Sequence, residues 1–420
     1  MKTINANELL AGLTLAEQIP VTAVVTDSRK VVPGCVFVCF PGERVDGHTY
    51  AAAAYAQGAA YIIANHPIEG VPESRTVVVP SSHMAMVRMA ANYRMLFSPL
   101  MIGVTGSVGK TTTKEFCYAV LSAFGNTLKT EGNQNNEIGV PNTLFRLDYT
   151  TEFAVVEMGM SSLGEIERLV RAARPSAGII TKIGVSHLEN LGTRENILKA
   201  KLEICAGLPD GAPLALNADD DLLPTAKVPG RLRTVWYGIH ADVADVHAED
   251  LHPETVDGTE GTAFTLQDAE HGEFDVFIPT VGEHTVYDAL AAYAAATRLG
   301  LDAAKCAKAL ASYKTTGMRQ NIVQHGGITF IEDCYNASPD SMQAALKVLQ
   351  GMPTGQGGRR IALLGDMLEL GTASEQGHRQ TGEWAAQYGA DLLVAYGPCS
   401  AAMAQAAKQK GVTTVHCQNA

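Results

Sequence analysis

The stretch Gly103-Val104-Thr105-Gly106-Ser107-Val108-Gly109-Lys110-Thr111-Thr112-Thr113-Lys114 constrains this chain more than any other. An apolar run, Leu100 to Val104, enters it, and a helix-like run, Lys114 to Phe124, leaves it. A strand, a glycine turn and a helix in that order make a phosphate-binding loop. Glycines let backbone N–H groups approach phosphate oxygens closely. The helix start adds free donors and a partial positive charge. Lys110 would neutralise the terminal phosphates of a nucleoside triphosphate, and the Thr111 hydroxyl would face Mg²⁺. The strict pattern places a further glycine where Val104 stands. The competing reading is a glycine-rich turn with a chance lysine, against which the flanking strand and helix weigh.

The rest of the chain divides by pattern. Residues 1–98 hold short β-like runs (Val36–Phe40, Thr76–Val79) and alanine-rich helical stretches near 50–57 and 84–97, which reads as a small α/β unit. Ser98-Pro99 is a hinge candidate, because a residue before proline avoids the helical region. Residues 99–314 alternate strand-like runs (100–104, 153–157, 177–183, 213–216, 234–237) with helix-like runs (114–124, 163–173, 194–208). Such alternation implies a mainly parallel sheet with helices on both faces. Within it, residues 242–280 are polar with a period of two and read as a β insertion, followed by a long alanine-rich helix over 288–299. Residues 315–420 read as strand, helix, strand, helix, strand, helix, strand (328–332, 339–349, 360–364, 374–388, 391–395, 401–410, 412–416), a doubly wound α/β unit. No internal repeat is visible.

Composition narrows the partners. A formal net charge of −12 with no basic block argues against nucleic acid. No apolar stretch approaches the roughly 20 residues that span a bilayer, and the first ten residues resemble neither a signal peptide nor an anchor. The eight cysteines are scattered without a Cys-x-x-Cys pair, as expected of buried thiols in a reducing cytoplasm.

Further polar residues fall just past strand ends, where open α/β sheets bind ligands. Glu157 closes the run Phe153–Val156, and a carboxylate there can hold the same Mg²⁺ as Thr111. A helix-capping glutamate is the alternative. His187 follows the run Ala177–Ile183 in Ile-Gly-Val-Ser-His-Leu-Glu, where structural and functional readings are balanced. Lys201, in Leu-Lys-Ala-Lys-Leu-Glu-Ile, reads by itself as a solvated helical lysine.

Taken together, the glycine loop, Glu157-Met-Gly-Met, Ile183-Gly-Val-Ser-His187-Leu-Glu-Asn and Ala200-Lys201-Leu-Glu-Ile resemble the Mur ligase family, ATP-dependent amide-forming enzymes of peptidoglycan synthesis. The resemblance covers nearly the whole chain. Its implied fold is a central P-loop ATPase domain with a parallel sheet, flanked by a small N-terminal α/β domain and a C-terminal Rossmann-like domain. Thr26-Asp27-Ser28-Arg29 and Gly42-Glu43-Arg44-Val45-Asp46-Gly47-His48 look like the family's UDP-sugar site, with Asp27, Ser28, Arg29 and Asp46 as contacts. Asp333-Cys-Tyr-Asn336-Ala-Ser-Pro339 and Leu364-Gly-Asp366-Met-Leu-Glu369-Leu-Gly resemble the members that add D-alanyl-D-alanine, with Asp366 as a substrate contact. The Asp-Asn-Pro-Arg motif of the relatives that add a diamino acid is absent from the sequence.

By resemblance, Gly106, Ser107, Gly109, Lys110, Thr111 and Thr112 cradle the ATP phosphates. Thr111 and Glu157 hold one Mg²⁺. His187 and a carbamylated Lys201 hold a second, which replaces the surface reading of Lys201. Arg319 and Asp333 bind ribose and phosphate, Asn336 lies near the nucleotide, and Asn135 and Asn136 touch the γ-phosphate or the peptide carboxylate. The implied substrates are UDP-N-acetylmuramoyl-tripeptide and D-alanyl-D-alanine, in a cytoplasmic monomer that neither inserts in a membrane nor binds nucleic acid.

The sequence also departs from the family. Asp288 stands where an asparagine contacts adenine, and Met318-Arg319 where Gly-Arg is common. Relatives continue beyond residue 420, so the expectation is a C-terminal unit lacking its last elements. Two other readings stay open: a related amide ligase such as folylpolyglutamate synthase, and a non-catalytic nucleotide-binding homologue.

Overall fold

The computed structural model describes residues 1–42 and 45–418. Glu43 and Arg44 of the Gly42–His48 segment, and the terminal Ala420, lie outside the described residues.

The strand Leu100–Thr105 is buried on both faces from Met101 onward, as a strand inside a parallel sheet must be. It belongs to a nine-stranded sheet whose order across is Thr127–Lys129, Phe153–Glu157, Leu100–Thr105, Ala177–Ile180, Pro213–Asn217, Arg233–Gly238, Val246–Val256, Thr259–Asp268 and Gly272–Ile278. Pairing is parallel up to Val246–Val256 and antiparallel beyond it. Later strands lie on both sides of Leu100–Thr105, so the strand order reverses there. That reversal opens the crevice in which open α/β sheets hold ligands. The 242–280 segment is β, as its period predicts, but it is no separate module. It continues the central sheet at one edge.

The helix after the glycine loop is Lys110–Ser122, four residues longer at its start than the pattern predicts. Gly109 adopts a left-handed φ of +85°, which turns the chain so that Lys110 already sits in the first helical turn. This helix packs with Glu283–Arg298 and Ala303–Ala309 on one face of the sheet, around Phe116, Val120, Leu290 and Tyr293. Helices Gly139–Leu144, Glu165–Ala173 and Arg194–Leu202 cover the other face. The run predicted as one helix over 194–208 ends at Leu202 and continues as the 3₁₀ turn Glu203–Gly207.

The N-terminal strands Val24–Val25, Val36–Val38, Tyr61–Ala64 and Thr76–Val78 form a parallel four-stranded sheet. Its helix Ser82–Arg94 packs on Glu165–Ala173, so Val36, Met86, Ile166 and Leu214 share one apolar cluster. The C-terminal parallel strands Ile361–Gly365, Leu392–Tyr396 and Thr413–Cys417 build on a cluster of their own around Met342, Leu346, Leu393 and Met403. Ile328–Glu332 is a strand as predicted, but not part of that sheet. It pairs antiparallel with Asn321–His325, a strand the sequence reading missed. A Gly326-Gly327 turn, with both residues at positive φ, closes this hairpin.

Candidate active site

The glycine loop joins the strand Leu100–Thr105 to the helix Lys110–Ser122 at the carboxyl edge of the sheet. Gly106 has a φ of +149° and lies so close to Thr181 that a Cβ would overlap its hydroxyl. A Cβ on Gly109 would come within 2.6 Å of Asp288 Oδ1. Both positions therefore require glycine. Ser107 N–H donates to the Lys182 carbonyl (2.8 Å), and Thr181 Oγ1 to the Val108 carbonyl (2.5 Å), which fix the loop against the next strand end. Lys110 Nζ donates to the loop carbonyls of Gly106 (2.8 Å) and Ser107 (3.1 Å). Thr111 and Thr112 follow in the first helical turn, where backbone N–H groups have no intrahelical acceptor.

Thr111 Oγ1 donates to Glu157 Oε2 at 3.1 Å, and Asn135 Nδ2 to Glu157 Oε1 at 2.8 Å. Glu157 is buried at the end of its strand and caps no helix. Asn136 behaves differently. Its side-chain oxygen accepts from the Ile138 and Gly139 N–H groups and shapes the local turn. Among the described residues no three His, Cys, Asp or Glu side chains converge into a metal-ligand set. An ion at Thr111 and Glu157 would take its remaining ligands from phosphate oxygens and water, the habit of Mg²⁺ rather than of zinc.

Lys201 is only 1 % exposed, and its Nζ has no hydrogen-bond partner among the described residues. Burial, with the charge of Lys110 nearby, holds its ammonium well below the usual lysine range. Burial likewise lowers Lys110, against the pull of Glu157, and Arg319 adds to the lowering. His187 is lowered by burial and by the Lys201 charge, while Glu369 works the other way. Lys110, His187 and Lys201 thus lie near enough to depress one another's protonation, and the Ser107 hydroxyl is also buried without a partner among the described residues. Anionic oxygens bound there would favour the charged forms that burial disfavours. His187 itself sits at a left-handed φ of +64°, a conformation rare outside glycine and found where surrounding structure enforces it.

The C-terminal unit reaches the same edge. Asp340, in the first turn of Pro339–Gly351, pairs with Lys182 at 2.7 Å, and a Cβ on Gly184 would come within 2.5 Å of Asp340. A cavity of about 420 Å³ lies between Lys182, Arg194, Asp340 and Leu370. Arg319 stands 4.4 Å over the Tyr335 ring, and its charge is felt by Lys110, Asp288 and Asp333. Burial raises Asp333, which Arg319 partly offsets. Asn336 is exposed, and its side-chain oxygen accepts from the next residue's N–H. Asp288 is buried, accepts from Thr113 Oγ1 at 2.7 Å and is pushed up to about 8 by burial.

Other sequence candidates serve local structure in this arrangement. Asp366 uses its two oxygens on the Cys399 and Ser400 N–H groups, 3.1 and 2.7 Å away, ahead of the helix Ala401–Gln409. Asp27 caps the 3₁₀ turn Ser28–Lys30 and pairs with Arg29 at 2.8 Å; Asp46 caps Gly47–Tyr50 and contacts His48 Nδ1 at 2.6 Å. Sequence reading passed over Lys114, Thr181, Asp340 and Glu369. Lys114 had a usable signal, since it lies one helical turn past Lys110 and Thr111.

A phosphate loop at a sheet switch point, a carboxylate beside its threonine and a buried unpaired lysine together define an ATP-using enzyme of the P-loop type. The chain belongs to the Mur ligase family. Residues 20–94 match the model described as Mur ligase family, catalytic domain; residues 104–296 match the Mur ligase middle domain; residues 318–420 match the Mur ligase, glutamate ligase domain. It is 38 % identical over 412 residues to the UDP-N-acetylmuramoyl-tripeptide–D-alanyl-D-alanine ligase of Bacillus subtilis, covering 96 % of this chain and 86 % of the relative. The crystal structure of MurF from Acinetobacter baumannii superposes with a TM-score of 0.89 at 30 % identity, over 100 % of this chain and 90 % of that one. MurF ligase from Thermotoga maritima, solved in complex with ADP, gives 0.81 at 29 % identity over 95 % and 94 %.

Proposed function

We infer that this chain joins D-alanyl-D-alanine to UDP-N-acetylmuramoyl-tripeptide at the expense of ATP, in peptidoglycan precursor synthesis. The observation that carries the reading is the near full-length likeness to the Bacillus ligase, joined to a phosphate loop whose glycines cannot be replaced. Residues 1–98 would hold the UDP substrate through Asp27, Ser28, Arg29 and Asp46, residues 99–314 would bind ATP, and residues 315–420 would close over it. A cytoplasmic monomer is the simplest working form, and no helix among the described residues is long and apolar enough to cross a membrane.

A carboxylate oxygen of the tripeptide attacks the γ-phosphorus of ATP, and the bond to the ADP oxygen breaks. Lys110, the loop N–H groups and Arg319 stabilise the charge shared between attacking and leaving oxygens. Thr111 and Glu157 would hold one Mg²⁺, and His187 with Lys201 a second; the ions supply charge neutralisation at the transferring phosphoryl group. Lys201 fits that role as a carbamate: burial favours its neutral amine, which would add CO₂ and release one proton, turning an unpaired buried amine into an anionic ligand. The amine nitrogen of D-alanyl-D-alanine then attacks the acyl phosphate carbon. The tetrahedral intermediate expels phosphate, the nitrogen loses its proton, and an amide remains. Acyl phosphates hydrolyse, so water must be excluded while the intermediate lives. The C-terminal unit, which has its own core and meets the central sheet through the pairs Lys182–Asp340 and His187–Glu369, is the part suited to close.

The test is phosphate release with ATP, Mg²⁺, UDP-N-acetylmuramoyl-tripeptide and D-alanyl-D-alanine. Release should depend on both the tripeptide substrate and the dipeptide. Release unchanged when the dipeptide is omitted would remove the assignment.

A further inference from the structure

Lys114 is a buried cation to which the reaction above gives no task. It is 1 % exposed, as deeply enclosed as Lys201, yet unlike Lys201 it has partners. Its Nζ lies 3.1 Å from Glu115 Oε1 and 3.8 Å from Glu157 Oε2. The other Glu115 oxygen pairs with Lys129, whose ammonium stands 4.2 Å over the Tyr118 ring near the surface. The result is a line of alternating charge, Lys129–Glu115–Lys114–Glu157, running from solvent to the phosphate loop.

The two distances at Lys114 differ in kind. At 3.1 Å it is in close ion-pair contact with Glu115; at 3.8 Å it is too far to hydrogen-bond Glu157 and acts there only as a charge. Glu115 therefore holds Lys114 back, and Lys129 holds Glu115. Among the described residues, Glu157 Oε2 accepts a hydrogen bond from Thr111 Oγ1 alone, while Asn135 fixes the other oxygen. A buried carboxylate is thus balanced by a cation that does not occupy its ligating positions. Helical spacing places Lys110, Thr111 and Lys114 along one side of the same helix, so the arrangement follows from Thr111-Thr-Thr-Lys114-Glu115.

We propose that Lys114, tethered by Glu115 and Lys129, is a positioning residue that holds Glu157 charged-balanced and oriented toward Thr111 for a divalent cation. The proposal rests on the reading that Glu157 and Thr111 hold such an ion. Its test is a Mg²⁺ titration at fixed ADP, read as thermal stabilisation of the full chain, with no turnover involved. Lys114→Met should raise the Mg²⁺ midpoint by about 10–100-fold, the usual loss when a ligand's supporting partner is removed. Lys114→Arg should recover most of that loss. In the full assay, excess Mg²⁺ should restore the rate of Lys114→Met, a split that general destabilisation does not produce. Glu157→Gln separates the two ideas. A midpoint unmoved by Glu157→Gln overturns the metal reading itself; a midpoint moved by Glu157→Gln but not by Lys114→Met overturns the role of Lys114. Should Lys114→Met not fold, Lys129→Gln frees Glu115 to draw Lys114 from Glu157. The midpoint must then rise in the same direction, and an unchanged one overturns the proposal.

Discussion

His187 Nδ1 lies 2.6 Å from Glu369 Oε2, and this contact joins the central sheet to the C-terminal unit. Both residues hold left-handed backbones, with φ of +64° and +61°. The Glu189 N–H donates to the Glu369 carbonyl at 3.1 Å, and Gly371 packs on the Glu189 backbone. The loop after Ile361–Gly365 is thereby seated on the short helix Leu188–Leu191.

Removing that contact should loosen the seat without unfolding the protein. Glu369 is 54 % exposed, so screening limits the pair to about 0–1 kcal/mol of stability. Glu369→Gln should leave the melting temperature nearly unchanged while amide exchange in Leu188–Leu191 and the 366–371 loop accelerates. Exchange identical to wild type would show that the contact does not hold the loop.

Lys201→Ala should lower turnover by at least about 100-fold, the scale of losing one charge-stabilising group at a reacting centre. Short carboxylic acids such as acetate should restore part of the rate, because they can enter the space left by the side chain and return an anionic oxygen. Phosphate release at several acetate concentrations measures this. Full activity in Lys201→Ala would exclude the carbamate.

Asp288 makes stability depend on pH. Its carboxyl is pushed up to about 8 in the fold and returns to near 3.8 on unfolding. The folded state therefore binds the extra proton between those values, and stability falls as pH rises through that window. Asp288→Asn keeps an acceptor for Thr113 and has no proton to lose. Its stability advantage over wild type should widen between pH 4 and pH 8, by at most about 1.4 kcal/mol per unit. Urea midpoints for the two proteins across that range check it; a constant difference would contradict the burial effect.

Gly109→Ala meets two obstacles, a φ of +85° and Asp288 Oδ1 at 2.6 Å from the new Cβ. The left-handed conformation alone costs a non-glycine residue roughly 1–2 kcal/mol. ADP-dependent thermal stabilisation should be lost or sharply reduced, and a wild-type ADP response would show that the loop can relax.

Much of the candidate site was legible because its signals are local. The glycine spacing, the apolar strand before it and Glu157 at a strand end each follow from neighbours in sequence. Lys201 shows the limit of such reading. A lysine in a helix says nothing of burial, and only the packing of Arg194–Leu202 on the sheet reveals it as enclosed. Pairing partners were hidden for the same reason. Ile328–Glu332 looks alike whether it enters a parallel sheet or a hairpin, and the choice falls to Gly326-Gly327. Asp366 and Glu369 sit in one motif, yet one accepts from the Cys399 and Ser400 N–H groups and the other faces His187, a difference set by the turn between them.

The hairpin of Val246–Val256 and Thr259–Asp268 divides mechanically in two. At its base, Arg298 grips Asp268 with two 2.7 Å bonds, tying the strand Thr259–Asp268 to the helix that carries Asp288. At its tip, Asp257-Gly258 forms an exposed two-residue turn with both φ values positive. The base behaves as a clamp on that helix's axial position, and the tip as a free handle. A reporter dye or affinity tag grafted at Asp257-Gly258 would ride on a ribbon anchored to the helix Glu283–Arg298.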